Sequence, residues 1–138
     1  MLAHSFHTLQ QRDTAVLEQH TWGHETGSSH GDSRIYRQTD ADINLARVAI
    51  TALPLWRELE IDADTALLTT VGGVDLGPKD SPAMRRILAN ASISTGAKVY
   101  STDEISTVLP AIRKPVPQDA VAVFQPDGAI INASRAVT

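Results

Sequence analysis

The chain of 138 residues contains no cysteine, which excludes a disulfide framework and any thiolate metal site. It has no apolar run approaching the roughly 18 residues needed to span a bilayer. It also lacks a dominant sign of charge. The formal net charge is -4, and the 12 basic residues are scattered, so there is no electrostatic footprint for nucleic acid or for an anionic membrane. Internal repeats and low-complexity tracts are absent. The first residues, with two His, a Phe and two Gln, lack the charged and apolar blocks of a signal peptide, which makes a cytoplasmic location the default expectation. What remains is an ordinary globular composition, 42% hydrophobic and 20% charged. The length suffices for one modest core or part of one. Small molecules and proteins are the partners left open.

The hydrophobic pattern predicts alternating helices and strands. Leu2, Phe6 and Leu9 form the stripe of a short amphipathic helix over residues 2–11. Thr14 to Leu17 reads as a short buried strand ending in Glu18, followed by a long polar loop rich in Gly, Ser and His up to Asp32. From Asp42, the residues Leu45, Ala49, Leu53, Trp56 and Leu59 recur at helical spacing, with Pro54 expected to kink that helix near Ile50 or restart it. Ala66 to Leu76 reads as one strand, with a bulge or close approach at Gly72 and Gly73, stopped by Gly77-Pro78. Ser81 and Pro82 start a helix reaching about Ser94, Gly96 ends it, and Lys98 to Tyr100 is a short strand. Thr102-Asp103-Glu104 opens a helix that Pro110 closes, and residues 113–117 form an extended connector. Ala120–Phe124 and Ala129–Ile131 are strands around the turn signal Gln125-Pro126-Asp127-Gly128, and Ser134 can open a last helix. Such an order argues an α/β or α+β architecture.

Chemistry-bearing residues concentrate in the block Gly27-Ser28-Ser29-His30-Gly31-Asp32-Ser33-Arg34-Ile35-Tyr36-Arg37. Small residues there allow close backbone approach, and hydroxyl and guanidinium groups supply donors, although a plain surface loop has the same composition. Arg34 and Arg37, three apart in an extended run, would point to opposite faces and need not share a role. His4 with His7, and His20 with His24, have spacings that could place two zinc ligands on one helical face. The lack of Cys and the loop-like surroundings of the second pair argue against a metal. Ser33, with His30 and Asp32 nearby, invites a nucleophile reading, but neighbours along an extended chain point apart and cannot converge as a triad.

The Gly-Ser-Ser-His-Gly-Asp-Ser-Arg block resembles the flavin-proximal stretch of FAD-dependent amine oxidases of the monomeric sarcosine oxidase and N-methyl amino acid oxidase type. Three further segments match that family in order and near its spacing: Leu55-Trp56-Arg57-Glu58-Leu59-Glu60, Gly73-Val74-Asp75-Leu76-Gly77-Pro78 and Phe124-Gln125-Pro126-Asp127-Gly128. The resemblance runs from about residue 5 to the end and covers roughly a third of a full-length member. It implies an α/β fold: a partial Rossmann-like FAD-binding region with the flavin-proximal loop over 1–40, and helices and strands of an α+β substrate domain over 41–138.

By this resemblance FAD is the cofactor, the substrate is a secondary amine or N-methyl amino acid, and dioxygen is reduced to hydrogen peroxide. Glu18, ending the second strand of a Rossmann unit, would accept hydrogen bonds from ribose hydroxyls, where an isolated reading makes it an ordinary solvated carboxylate. Ser29, His30, Gly31, Asp32 and Ser33 would line the flavin, and Arg34 would place a fixed positive charge beside its ring. Arg37 corresponds to the arginine that holds the substrate carboxylate.

The sequence also departs from the family. It contains no Gly-x-Gly-x-x-Gly turn, the element that seats a dinucleotide pyrophosphate on a helix N-terminus. Met1 is expected to fall inside the first helix, Arg12-Asp13 stand where the family has a Gly, and without Cys a thioether to flavin cannot form. These departures predict an inactive fragment, completed if at all by the remainder of the enzyme. The alternative is a non-catalytic globular remnant or interaction module.

Overall fold

The computed structural model describes Ala15, residues 17–112 and residues 116–137. The helix expected over 2–11, and Thr14 and Val16 of the first expected strand, lie outside the described residues. Ala15 and Leu17 are not in a strand, and Leu17 is 96% exposed. The expectation of a buried strand is therefore not met at Leu17. Among the described residues, neither Ala15 nor Leu17 takes part in a strand pairing.

Among the described residues the elements run β1 (Arg34–Tyr36), α1 (Ile43–Asp62), β2 (Leu68–Thr70), β3 (Gly73–Pro78), α2 (Pro82–Asn90), β4 (Lys98–Ser101), α3 (Thr102–Val108), β5 (Ala120–Gln125), β6 (Ala129–Ile131) and α4 (Ala133–Val137). A single 3-10 turn, Ala91–Ile93, extends α2. The strands form two antiparallel sheets of three, ordered β1-β6-β2 and β3-β5-β4. The fold is mixed α/β. Every ladder in it is antiparallel, so the parallel arrangement of a Rossmann unit is not formed by these strands.

The sheets are joined by one bent ribbon. Leu68 pairs with Ile131 and Thr70 with Ala129, whereas Gly73 pairs with Gln125 and Pro78 with Ala120. Between those two registers, residues 71 and 72 face residues 126, 127 and 128, so one strand carries an extra residue. That is a bulge, and it bends the ribbon so that each strand passes from the first sheet to the second. The glycine break expected in residues 66–76 thus exists, but it divides the segment into two strands of different sheets. The two strands expected around Gln125-Pro126-Asp127-Gly128 both form, but β5 and β6 lie in different sheets and do not pair with each other. The cause is a close backbone approach: Val71 N–H and Gly72 N–H both donate to the Gly128 carbonyl, at 3.0 and 2.9 Å. Pro78, expected to stop β3, is its last residue. The strand lies at a sheet edge, where a proline's missing N–H costs no ladder bond on the open side.

Each sheet has its own apolar cluster. Tyr36, Leu68 and Ala129 pack with Ile131 against Ala49, Leu53 and Trp56 of α1. In the second sheet, Val121 and Val123 pack with Met84, Ala91, Ile87 and Leu88. Helix α1 continues through Pro54 rather than restarting. The Tyr36 hydroxyl donates to the Ala49 carbonyl at 2.7 Å, beside the Ile50 carbonyl to which Pro54 cannot donate. Helix α2 starts as expected, with the Ser81 hydroxyl accepting from Met84 N–H at 3.2 Å and Pro82 at the first helical position.

The Leu-Trp-Arg-Glu-Leu-Glu segment of α1 fixes where β2 begins. Glu60 accepts N–H bonds from Leu67 and Leu68, both at 2.7 Å, and from Arg57 at 2.6 Å, while Arg57 also donates to Thr70 Oγ1 at 2.6 Å. Burial alone would raise the Glu60 carboxyl above 4.5, but the Leu68 N–H, Arg57 and the Leu67 N–H outweigh it and hold it lowered. A depressed folded value means stability that is complete above pH 4.5 and lost as pH falls through the lowered value. Glu60→Gln keeps an acceptor for the two amides but loses the charge. It should cost about 1–2 kcal/mol at pH 7, and the difference should vanish in acid; denaturant melts of both proteins from pH 7 to pH 3 check this.

Candidate functional site

Residues 18–33 lead into β1 without regular structure, yet they are tied down at both ends. At the near end, the Glu18 carboxylate accepts from His20 N–H at 2.9 Å and lies 3.1 Å from His24 Nε2. The His20 N–H and the His24 ring hold that carboxyl below its ordinary value. His24 Nδ1 accepts from Thr26 N–H at 3.2 Å, and its Nε2 faces Glu18. The two rings of His20 and His24 sit 4.7 Å apart. Among the described residues, no group of three or more His, Asp or Glu converges as a metal site.

At the far end, Gly31 is the anchor. Its N–H donates to Ser134 Oγ at 2.7 Å, and its carbonyl accepts from Ser134 N–H at 3.1 Å. Its φ of +84° lies in the left-handed region, where a side chain would be strained. Around this anchor Arg34 donates to His30 Nε2 at 3.3 Å, and Asp32 and Ser33 are exposed. A cavity of about 220 Å³ adjoins Glu18, Trp22, Gly27, Ser28, Ser29 and Val137. The fold therefore brings Glu18 and Ser29 to one cavity and places His30 beside Arg34.

Arg37 is elsewhere. It follows the last residue of β1, so the alternation of a strand no longer governs its direction. Its guanidinium lies 3.1 Å from Asp40 and 3.8 Å from Asp75, and is 52% exposed. Below it is a buried polar network that the sequence reading did not single out. Gln125, 2% exposed, accepts from the Gln38 and Thr39 N–H groups and donates to Thr39 Oγ1 at 2.8 Å. The Thr39 hydroxyl in turn donates to Asp75. On the other side, Asn90 donates to the carbonyls of Asp40 and Ala41 at 3.1 and 3.3 Å. The signals were present in the sequence: Gln125 ends the otherwise apolar strand Ala-Val-Ala-Val-Phe, and Asp75 is an acid between Val74 and Leu76.

A dinucleotide site needs more than this cavity offers. The cavity is smaller than the roughly 300–1,000 Å³ that small-molecule pockets occupy. Around it stand an acceptor carboxylate, small loop residues and donors suited to one portion of such a ligand, and the pyrophosphate turn is not in the sequence.

Comparison with known proteins gives this arrangement a context. Human peroxisomal sarcosine oxidase is 30% identical over 135 residues, which cover 96% of this chain and 34% of that protein. N-methyl-L-tryptophan oxidase of Citrobacter koseri is 26% identical over 126 residues, 88% of this chain and 33% of the relative. In three dimensions the chain is similar to the open form of NikD, an unusual amino acid oxidase essential for nikkomycin biosynthesis. The TM-score is 0.66 at 25% identity, over 87% of this chain and 32% of NikD. The chain thus spans about a third of the length of these relatives. The model of the FAD dependent oxidoreductase family matches residues 3–138, and the chain belongs to that family.

Proposed function

We propose that this chain supplies the flavin-facing loop and a substrate-anchoring arginine to an FAD-dependent oxidase of secondary amines or N-methyl amino acids. The observation that carries the reading is the loop at residues 29–34: Gly31 is clamped to α4 by two hydrogen bonds, and the exposed Arg34 is held beside His30. A loop fixed in this way presents preorganised donors rather than a mobile surface. Ser29, His30, Gly31, Asp32, Ser33 and Arg34 would hold the flavin side of FAD, with Glu18 toward its ribose. When bound, FAD supplies the two-electron acceptor for the amine, and dioxygen is the oxidant that renews it. Arg34 contributes fixed positive charge at the loop. Arg37 offers a planar guanidinium that can take a substrate carboxylate through paired N–H donors.

Two measurements test this. The isolated chain lacks the Gly-x-Gly-x-x-Gly turn, so flavin fluorescence titration should give an FAD affinity weaker than micromolar; tighter binding would contradict the division of labour proposed here. A chimera supplies the rest, with these 138 residues replacing their counterpart in human peroxisomal sarcosine oxidase. There, Arg37→Ala should weaken carboxylate-bearing substrates by about 2–5 kcal/mol and neutral amines little. Arg34→Ala should instead slow flavin reduction. A colourless chimera that binds no FAD would favour a non-catalytic module, and identical behaviour of the two variants would remove the separate roles.

A further inference from the structure

The surroundings of Arg37 bear on which amines such a site accepts. The two terminal nitrogens of its guanidinium already face carboxylates: Nη2 donates to Asp40 at 3.1 Å, and Nη1 lies 3.8 Å from Asp75. Neither acid is free to swing away. Asp40 also accepts from Asp42 N–H at 2.9 Å, and Asp75, with its side chain 16% exposed, accepts from Thr39, which the buried Gln125 holds. One guanidinium and two carboxylates sum to a local charge of -1. A substrate carboxylate arriving at Arg37 makes that -2, whereas a protonated amine meets attraction.

We propose that Asp75 is a specificity-determining residue, which competes with a substrate carboxylate for Arg37 and biases the site toward amines without one. The proposal rests on the reading of Arg37 as the carboxylate anchor. Asp75 is the informative member of the pair. At 3.8 Å it contributes charge to Arg37 without a hydrogen bond, and an Asn at this position can still accept from Thr39.

The test uses the 138-residue chain itself, labelled with nitrogen-15. Acetate is the carboxylate probe and methylammonium the cationic one, with the amide signals of Gln38 and Thr39 as readout. Asp75→Asn should bind acetate at least about fivefold more tightly than the unmodified chain, and methylammonium no more tightly. Asp40→Asn, which removes the other acid, should shift acetate affinity in the same direction and guards against a folding defect at position 75. Equal acetate affinity in Asp75→Asn and the unmodified chain overturns the proposal, as does a gain for both probes. If Asp75→Asn gains acetate binding that persists in Asp75→Asn combined with Arg37→Ala, the anchor role of Arg37 falls instead.

Discussion

Gln125→Leu should destabilise the chain by about 2–5 kcal/mol and should loosen the segment that carries Arg37. The amide of Gln125 lies at the end of β5 in the second sheet, and its oxygen takes the N–H groups of Gln38 and Thr39, just beyond β1 of the first sheet. Leucine fills a similar volume but accepts nothing. Two buried backbone donors would then lack partners, at about 1–3 kcal/mol each, and Thr39 would lose the donor that orients its hydroxyl toward Asp75. Urea unfolding should show a lower midpoint. Hydrogen exchange should speed up at Gln38 and Thr39 more than at Val121 or Val123, which keep their ladder bonds. A loss below 1 kcal/mol would mean that water replaces the amide, and that the network does not hold residues 37–40 in place.

This network marks the limit of what the sequence makes legible. Features set by residues near one another in the chain are readable. Ser81-Pro82 predicts the start of α2, the apolar spacing from Leu45 to Leu59 predicts α1, and Gly72-Gly73 marks a discontinuity where the structure has a bulge. Partner choice is not readable in this way. Gln125-Pro126-Asp127-Gly128 has the composition of a hairpin turn, and only the distant backbone at residues 71–73 sends β6 to the other sheet. Thr14 to Leu17 reads as a strand by propensity, but propensity alone does not decide burial, and the described Leu17 is exposed and outside any strand.

The candidate site divides along the same line. The Gly27–Arg37 block stands out in composition, and the structure shows why its shape holds: Ser134, 103 residues downstream, clamps Gly31. The sequence separates Arg34 and Arg37 by strand alternation and by the roles that the oxidase resemblance implies for each. The structure separates them by their partners, His30 for one and two aspartates for the other. Asp75 and Gln125 sit inside segments that match the oxidase family, yet nothing local distinguishes a solvated polar residue from one that reaches across two sheets.

Gly128→Ala should be as damaging as the loss of Gln125, and for a purely steric reason. A Cβ at position 128 would lie 2.5 Å from Gly73 N, 2.6 Å from the Gly72 carbonyl carbon and 2.8 Å from Gly73 Cα. All three are backbone atoms, so no side chain can rotate aside. The ribbon must spread where it passes between sheets, which strains the bonds from Val71 and Gly72 to the Gly128 carbonyl. Overpacking of an ordinary core site costs about 1–3 kcal/mol because side chains can adjust; with backbone on the opposing side the cost should reach or exceed the top of that range. Gly27→Ala is the control, since its added Cβ would meet only His24 Cε1 at 3.9 Å, and its stability should change by less than about 0.5 kcal/mol. Thermal melts of the two variants make the comparison. The bulge also sets the relation between β6, which pairs with β1 next to Arg34, and β3, which carries Asp75. Gly128→Ala should therefore shift the amide signals of Gln38 and Thr39 even where the chain stays folded. Unchanged signals there, with a stability near that of the unmodified chain, would show that the ribbon can widen freely and that its bend does not position the two arginines.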